Sequence, residues 1–344
     1  MISSPAFQEY IHSAGFLAAL ELPLNNELSF TPLGQGEYNT NYRFTHPKTR
    51  KELVLRINTG SQMHLSDQIG YEFSALKMLE TSGRTPKAYF CDGSKKILPY
   101  GVLVMEWLPG RALRYESDLC TAAEILADIH AAPVPKETSL LCPDYPLQSI
   151  YEECLAMVDH YFRWDNASHA VCRLLESMIE EIGHRPLKSM ASAVPCIVNT
   201  ELNSGNFLIN DVGTSYLIDW EKPVLSEPSQ DLGHFLVPTT TFWKTDVILT
   251  TEEIREFTSH YISAAAGRFD TSEIHERLPL YFSTTCLRGV TWCAMAMVEY
   301  STPGRTISNA DTFKKIGQYL DVDFLTNILE NYMRRNFLAQ ENNG

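Results

Sequence analysis

The chain has 344 residues, 44% of them hydrophobic and 20% charged, with a formal net charge of -14. That length suits two domains or one large bilobal one, and the composition suits a water-soluble protein with a real core. So acidic a balance argues against a nucleic-acid binder, which needs basic surface to displace condensed counterions.

The eight cysteines include no C-x-x-C pair and need no disulfide framework, so a reducing cytosol is expected. The start, "MISSPAFQEYIHSAGFLAAL", has no basic n-region, and no signal peptide is expected. No apolar run approaches the length of a membrane span.

Residues 1–25 read as a helix. The stretch from Leu28 to Asn58 then reads as strand, Gly-rich turn, strand, polar turn, strand, with alternation at Tyr42 and Phe44 and at Leu53, Leu55 and Ile57. A helix follows, with Ser66 as its expected cap, Gly83 as its end, and Ile69, Phe73 and Leu76 at helical spacing. "PKAYFCDG" and "YGVLVMEWLPG" give two more strands, so a five-stranded sheet with one inserted helix ends near Leu108. Thr121 to Ala132 reads as a helix with a capping box, Thr121 and Glu124, stopped by Pro133 and Pro135. Residues 147–190 read as helical. "NFLINDVGTSYLIDW" reads as a hairpin turning at Asn210–Gly213, and Thr251 to Phe337 reads as mostly helical. The predicted class is α+β: a small β-rich lobe, residues 1–107, and a larger helical lobe, residues 108–344, joined at Met105–Leu108.

Three constellations carry chemistry. In "GQGEYNTNY", Gly34 and Gly36 are followed by a strand, so the Rossmann context is missing; the alternatives are a phosphate-covering glycine turn or an ordinary hairpin. Arg56 on a strand and Glu72 on the next helix match the way kinases hold a cation over nucleotide phosphates, although either alone suits a surface position. In "NTELNSGNFLINDVGTSYLIDW", Glu201 precedes Asn206 by five residues and Asp219 ends the second strand. Phosphoryl transfer needs a carboxylate to orient the attacking hydroxyl and hard oxygens for magnesium.

Taken in order, these motifs resemble the aminoglycoside phosphotransferase and choline kinase family, which has a protein-kinase-like fold. That family's loop commonly reads His-Gly-Asp-Leu-His-Pro-Gly-Asn before a hairpin ending Ile-Asp-Trp. Here Leu202, Gly205, Asn206, Ile218, Asp219 and Trp220 match. "LVMEWLPG" resembles the family's hinge, "ILADIHA" its helix with a late His, and "EPSQDLGHF" the segment after the metal-binding acid. The resemblance runs from about Leu28 to Leu236.

It implies an ATP- and magnesium-dependent kinase acting on a hydroxyl of a small molecule such as an amino alcohol, a sugar or an aminoglycoside. Glu201 would be the base, with Asn199 beside it, and Asn206 and Asp219 the magnesium ligands. Gly34, Gly36, Asn39 and Arg56 would hold phosphates, Glu72 would orient Arg56, and Met105, Glu106, Trp107 and Leu108 would hold adenine. Glu221, Trp243, Trp292, Glu299 and Tyr300 are acceptor-side candidates; for the helix carrying three of them, an amphipathic core helix is the alternative. No nucleic-acid or membrane partner is expected. Two departures matter: Glu201 stands where the family has Asp, and Asn199 where it has His. An extra methylene displaces a carboxylate by about 1 Å, enough to cost roughly 100-fold in rate. A nucleotide-binding pseudokinase acting as scaffold or regulator is therefore the alternative reading.

Overall fold

A computed structural model describes residues 2–25, 27–36, 38–61, 63–190, 194–302 and 310–335. In chain order come helices α1 (Pro5–Ile11) and α2 (Ala14–Ala19), strands β1 (Thr31–Gln35), β2 (Asn39–Thr45) and β3 (Glu52–Asn58), helix α3 (Gln68–Leu79), and strands β4 (Ala88–Asp92), β5 (Gly101–Glu106) and β6 (Arg111–Ala112). Helices α4 (Tyr115–His130), α5 (Pro146–Phe162) and α6 (His169–Gly183) follow, then β7 (Cys196–Val198), β8 (Phe207–Ile209), β9 (Tyr216–Leu217) and β10 (Val224–Ser226). The rest is helical: α7 (Pro228–Leu236), α8 (Pro238–Lys244), α9 (Thr251–Ala265), α10 (Ile274–Ser301), α11 (Ala310–Tyr319) and α12 (Val322–Ile328).

The chain forms two compact units. The first comprises 1–112, 132–141 and 207–223; the second comprises 113–131, 142–206 and 224–344. The first unit holds the expected antiparallel five-stranded sheet, in the order β1-β2-β3-β5-β4. Successive strand residues face opposite sides. Leu53, Leu55 and Ile57 of β3 therefore join Phe44, Val102 and Val104 in a core closed by Phe7, Tyr10 and Phe16 of the two N-terminal helices. Val54, Arg56 and Asn58 occupy the other face of the same strand, and α3 packs on β4 and β5. A smaller sheet, β6-β8-β9, also belongs to this unit.

The second unit is mainly helical. Its long α10 is buried at Leu278, Tyr281, Phe282, Leu287 and Val290, and it packs against α5, α7, α8 and α11. This is the amphipathic core helix of the alternative reading, with Trp292 half-buried and Glu299 exposed on it. No helix among the described residues is long and apolar enough to cross a membrane.

Several local expectations are corrected. The N-terminal helix is two helices, because the Ser13 side chain accepts the Phe16 N–H and starts a second one. Asp67, not Ser66, caps α3, accepting the Gly70 N–H. The Thr121–Glu124 capping box does not form. Helix α4 begins at Tyr115, where the Asp118 carboxylate takes the Arg114 N–H at 2.8 Å, so Thr121 lies in its interior. A capping box does form at Thr250 and Glu253, at the start of α9. Of the helical span expected to Phe337, residues 303–309 and 336–337 lie outside the described residues.

Helices α8 and α10 approach closely at Gly289, where a Cβ would come within 2.5 Å of the Thr239 Cβ. Thr239 is β-branched and cannot swing aside. Gly289→Ala is expected to destabilise the second unit by roughly 1–3 kcal/mol through overpacking. A lowered thermal or urea midpoint checks this; an unchanged one means the helices separate without cost.

Candidate active site

The first unit gathers charge around one buried cation. Arg56, 5% exposed on β3, donates from Nη1 to Glu72 Oε1 at 2.6 Å and from Nη1 and Nη2 to Asp219 Oδ1 at 3.1 Å each. Its Nε donates to Asn41 Oδ1 at 3.0 Å, and Glu221 Oε1 lies 3.7 Å from Nη1. Burial opposes the charge on Arg56, but Glu72, Asp219 and Glu221 together hold its pKa above the ordinary value. Three carboxylates share this one guanidinium. Burial, then the charge on Asp219, pushes the Glu221 carboxyl up to about 8. Burial also raises Glu72, against the pull of Arg56, and its Oε2 is buried with no hydrogen-bond partner among the described residues. Asp219 itself sits at φ 67°, a left-handed conformation that a non-glycine residue adopts at a cost.

Asn39 is buried beneath this cluster. Its Nδ2 donates to Glu221 Oε1, and its Oδ1 accepts from Asn58 Nδ2 at 2.9 Å. Its carbonyl accepts the Gly36 N–H at 2.8 Å, closing the glycine turn. A Cβ at Gly34 would meet nothing within 4 Å, and one at Gly36 only the Asn39 carbonyl oxygen at 3.8 Å. Neither glycine has a positive φ, so the chain's own packing requires neither. At the expected hinge, Met105 is buried in β5, Glu106 N–H donates to Lys87 O, and Trp107 N–H donates to Glu52 O. The Arg43 guanidinium lies 3.9 Å from the Trp107 ring centroid. The Leu108 N–H makes no hydrogen bond to the chain among the described residues.

The Asn-rich loop lies in the second unit up to Asn206, and its composition has a local cause. Asn199 Oδ1 accepts the Glu201 N–H at 3.1 Å, Asn203 Oδ1 accepts the Gly205 N–H at 2.9 Å, and Asn206 Nδ2 donates to the Glu201 carbonyl at 2.8 Å. Each side chain satisfies a backbone group that no strand or helix can reach. The loop is also pinned from α7. Asp231, fully buried, accepts the Asn199 N–H at 2.8 Å and the Thr200 N–H at 2.9 Å, and Thr200 is held at φ 68°. His130 Nε2 lies 3.3 Å from Asp231 Oδ2, and His130 Nδ1 lies 2.7 Å from the Tyr261 hydroxyl, so this histidine is a satisfied buried residue. His234 Nδ1 accepts the Leu202 N–H at 3.2 Å.

The acceptor-side candidates divide. Trp243 of α8 and Trp292 of α10 meet edge to face at 5.2 Å in the second unit, and Tyr300 stacks on Phe313 at 5.8 Å. Glu221 belongs to the first unit, beside Arg56. Sequence reasoning did not single out Asp231, Asn58, Gln68 or Tyr71. For Asp231 the signals were its place in "EPSQDLGHF", the segment that resembles the family's, and an acid set among apolar residues in "QDLGHFL".

The phosphotransferase enzyme family model (APH) matches residues 29–268, and the chain belongs to that family. No curated protein sequence matches it. Similar solved structures include a Plasmodium vivax ethanolamine kinase, at 13% identity and TM-score 0.63, covering 96% of this chain and 90% of that one. Choline kinase LicA from Streptococcus pneumoniae is 19% identical, with TM-score 0.57 and coverage of 91% and 98%. Spectinomycin phosphotransferase APH(9)-Ia, in complex with ADP and spectinomycin, is 14% identical, with TM-score 0.59 and coverage of 88% and 93%. At these identities the likeness is one of fold, and that fold is the α+β arrangement of small-molecule kinases.

Removing Arg56 leaves the buried Glu72 carboxylate, and the half-buried Asp219 and Glu221, uncompensated. Arg56→Met is expected to cost about 3–5 kcal/mol, and Arg56→Met/Glu72→Leu distinctly less, because the second change removes one stranded charge. Urea midpoints of the two variants check the order; a double variant no more stable than the single would contradict it. Asp231→Ala strands two loop N–H groups at a cost of roughly 1–3 kcal/mol each. Faster amide exchange at Asn199 and Thr200 is the expected readout.

Proposed function

From its membership of this family, we propose that the chain is an ATP- and magnesium-dependent kinase that phosphorylates a hydroxyl of a small acceptor, with Glu201 as base. The observation that carries the reading is the meeting of buried Arg56 and Glu72 with half-buried Asp219, from a strand, a helix and the end of a hairpin, in one charged cluster. A structural ion pair needs one carboxylate for one guanidinium. Three carboxylates suit a place where phosphate and a divalent cation both belong.

The residues fit magnesium, which takes hard oxygen ligands and retains several waters. Asp219 would supply a carboxylate. Asn206 would supply its amide oxygen, since its Nδ2 is committed to the Glu201 carbonyl. When bound, the ion would neutralise phosphate oxygens. Arg56 would meet the phosphates, oriented by Glu72. The turn at Gly34 and Gly36 would approach them by backbone, with no Cβ in the way. The Leu108 N–H would donate to adenine, with Met105, Glu106 and Trp107 forming the rest of that wall. Glu201 would take the proton of the acceptor hydroxyl as its oxygen bonds to the γ-phosphorus and the bond to the β,γ-bridging oxygen breaks, releasing ADP. Asn199 caps the base's own N–H and so helps set its backbone. The acceptor would lie on the second unit near Trp243 and Trp292, where aromatic faces suit an amine or ammonium. An ethanolamine kinase and a choline kinase among the similar folds agree with that class.

The test is ATP turnover against amino alcohols, sugars and aminoglycosides. Glu201→Gln is expected to lower kcat by roughly 100-fold or more while sparing nucleotide affinity. Asp219→Asn is expected to abolish the gain in nucleotide affinity that magnesium gives. Nucleotide binding with no turnover on any acceptor would favour the pseudokinase reading, which the Asn199 and Glu201 replacements motivate. Failure to bind Mg-ATP at all would refute both.

A further inference from the structure

The segment from Asp219 to Pro223 belongs to no helix or strand, so it has no backbone ladder to fix it. Helix α3 supplies the missing restraint. Three of its side chains, at positions 68, 71 and 72, share one helical face by their spacing. Gln68 Nε2 donates to the Glu221 carbonyl at 2.7 Å. The Tyr71 hydroxyl donates to the Pro223 carbonyl at 2.5 Å. Glu72 holds Arg56, which in turn holds Asp219. All three are buried, at 6%, 7% and 1% exposure. Gln68 and Tyr71 are fixed in turn: Gln68 Oε1 accepts from the Ser61 hydroxyl at 2.6 Å, and the Tyr71 oxygen accepts the Leu141 N–H at 3.1 Å. The helix is itself anchored by its Asp67 cap and by packing on β4 and β5.

We infer that Gln68 and Tyr71 are positioning residues that set the Asp219 carboxylate for a divalent cation by fixing the backbone that follows it. The inference rests on the proposed role of Asp219. Its physical content is that Asp219 holds a left-handed φ. Such a conformation persists only where its surroundings over-determine it. Arg56 restrains the side chain of Asp219, and Gln68 and Tyr71 restrain the backbone two and four residues on. Neither residue would touch the ion, the nucleotide or the acceptor.

The experiment measures affinity for the non-hydrolysable nucleotide AMP-PNP by calorimetry, with and without magnesium, on the full chain. The variants are Tyr71→Phe and Gln68→Met, each of which removes hydrogen bonds while keeping bulk; if one fails to fold, the other decides. The gain in affinity given by magnesium is expected to fall roughly fivefold to tenfold in each, the size of one lost hydrogen bond. Affinity without magnesium should stay at the wild-type value. Gly289→Ala, which loosens the second unit, should leave the gain intact, separating positioning from general destabilisation. A gain kept within about twofold of wild type in the folded variants, or an equal loss in Gly289→Ala, would overturn the inference. A wild-type protein that binds AMP-PNP no better with magnesium would sink the parent reading and this inference with it, whereas a retained wild-type gain confines the failure to Gln68 and Tyr71.

Discussion

A buried guanidinium surrounded by three carboxylates is the constraint from which the first unit follows. Taking Arg56 out of water is expensive, and only near-ideal partners offset the cost. Each partner therefore has to be placed. Glu72 arrives because α3 packs on the sheet face that carries Arg56. Asn41 arrives because β2 and β3 pair in a register that sets it opposite Arg56. Asp219 arrives because the β8–β9 hairpin returns to the same unit after the chain has passed through α4, α5 and α6. The hydrophobic core on the opposite face of β3 needs none of this, since Leu55 and Ile57 pack without regard to what Arg56 meets. The two faces of one strand thus carry an apolar core on one side and a charged cluster on the other.

The parts of the molecule that were legible in the sequence are those with short periods or short motifs. Alternation at Leu53, Leu55 and Ile57 marked β3, and the 3.6-residue stripe in "QIGYEFSALKML" marked α3. The order of glycine turn, strand arginine, helix glutamate, Asn-rich loop and Ile-Asp-Trp pointed to the family. What stayed hidden needed three dimensions. Nothing local distinguishes Gln68 or Tyr71 from ordinary α3 residues; their partners lie more than 150 positions away. Nor could spacing show that Glu221 keeps company with Arg56 and Asn39 rather than with Trp243 and Trp292. The helix caps misled for a different reason. Ser66 and Thr121 are good capping types, but Asp67 and Asp118 were nearby competitors, and packing of Tyr115 carried α4 to an earlier start.

The loop before the hairpin is held chiefly through its backbone, so its form does not depend on the length of the side chain at position 201. Its form is written in backbone-directed bonds: Asp231 to two N–H groups, Asn199 to the Glu201 N–H, Asn206 to the Glu201 carbonyl, and His234 to the Leu202 N–H. The loop holds position 201 by its main-chain N–H and C=O, groups common to Asp and Glu. Replacing Asp by Glu there changes the reach of one carboxylate and leaves those anchors in place. The Asn at 199 works within the same scheme, since an amide oxygen can cap an N–H without titrating.

Two non-glycine residues, Thr200 and Asp219, hold left-handed backbone at the loop and at the end of the hairpin. Each conformation costs of order 1–3 kcal/mol and persists only where its surroundings over-determine it. Asp231 restrains the first from a buried position in α7, and Arg56 restrains the second from β3. Left-handed backbone also occurs at Glu21, Arg50, His64 and Lys95; what sets Thr200 and Asp219 apart is that a buried charged side chain bonds each of them. Such restraint is expected where chemistry depends chiefly on positioning.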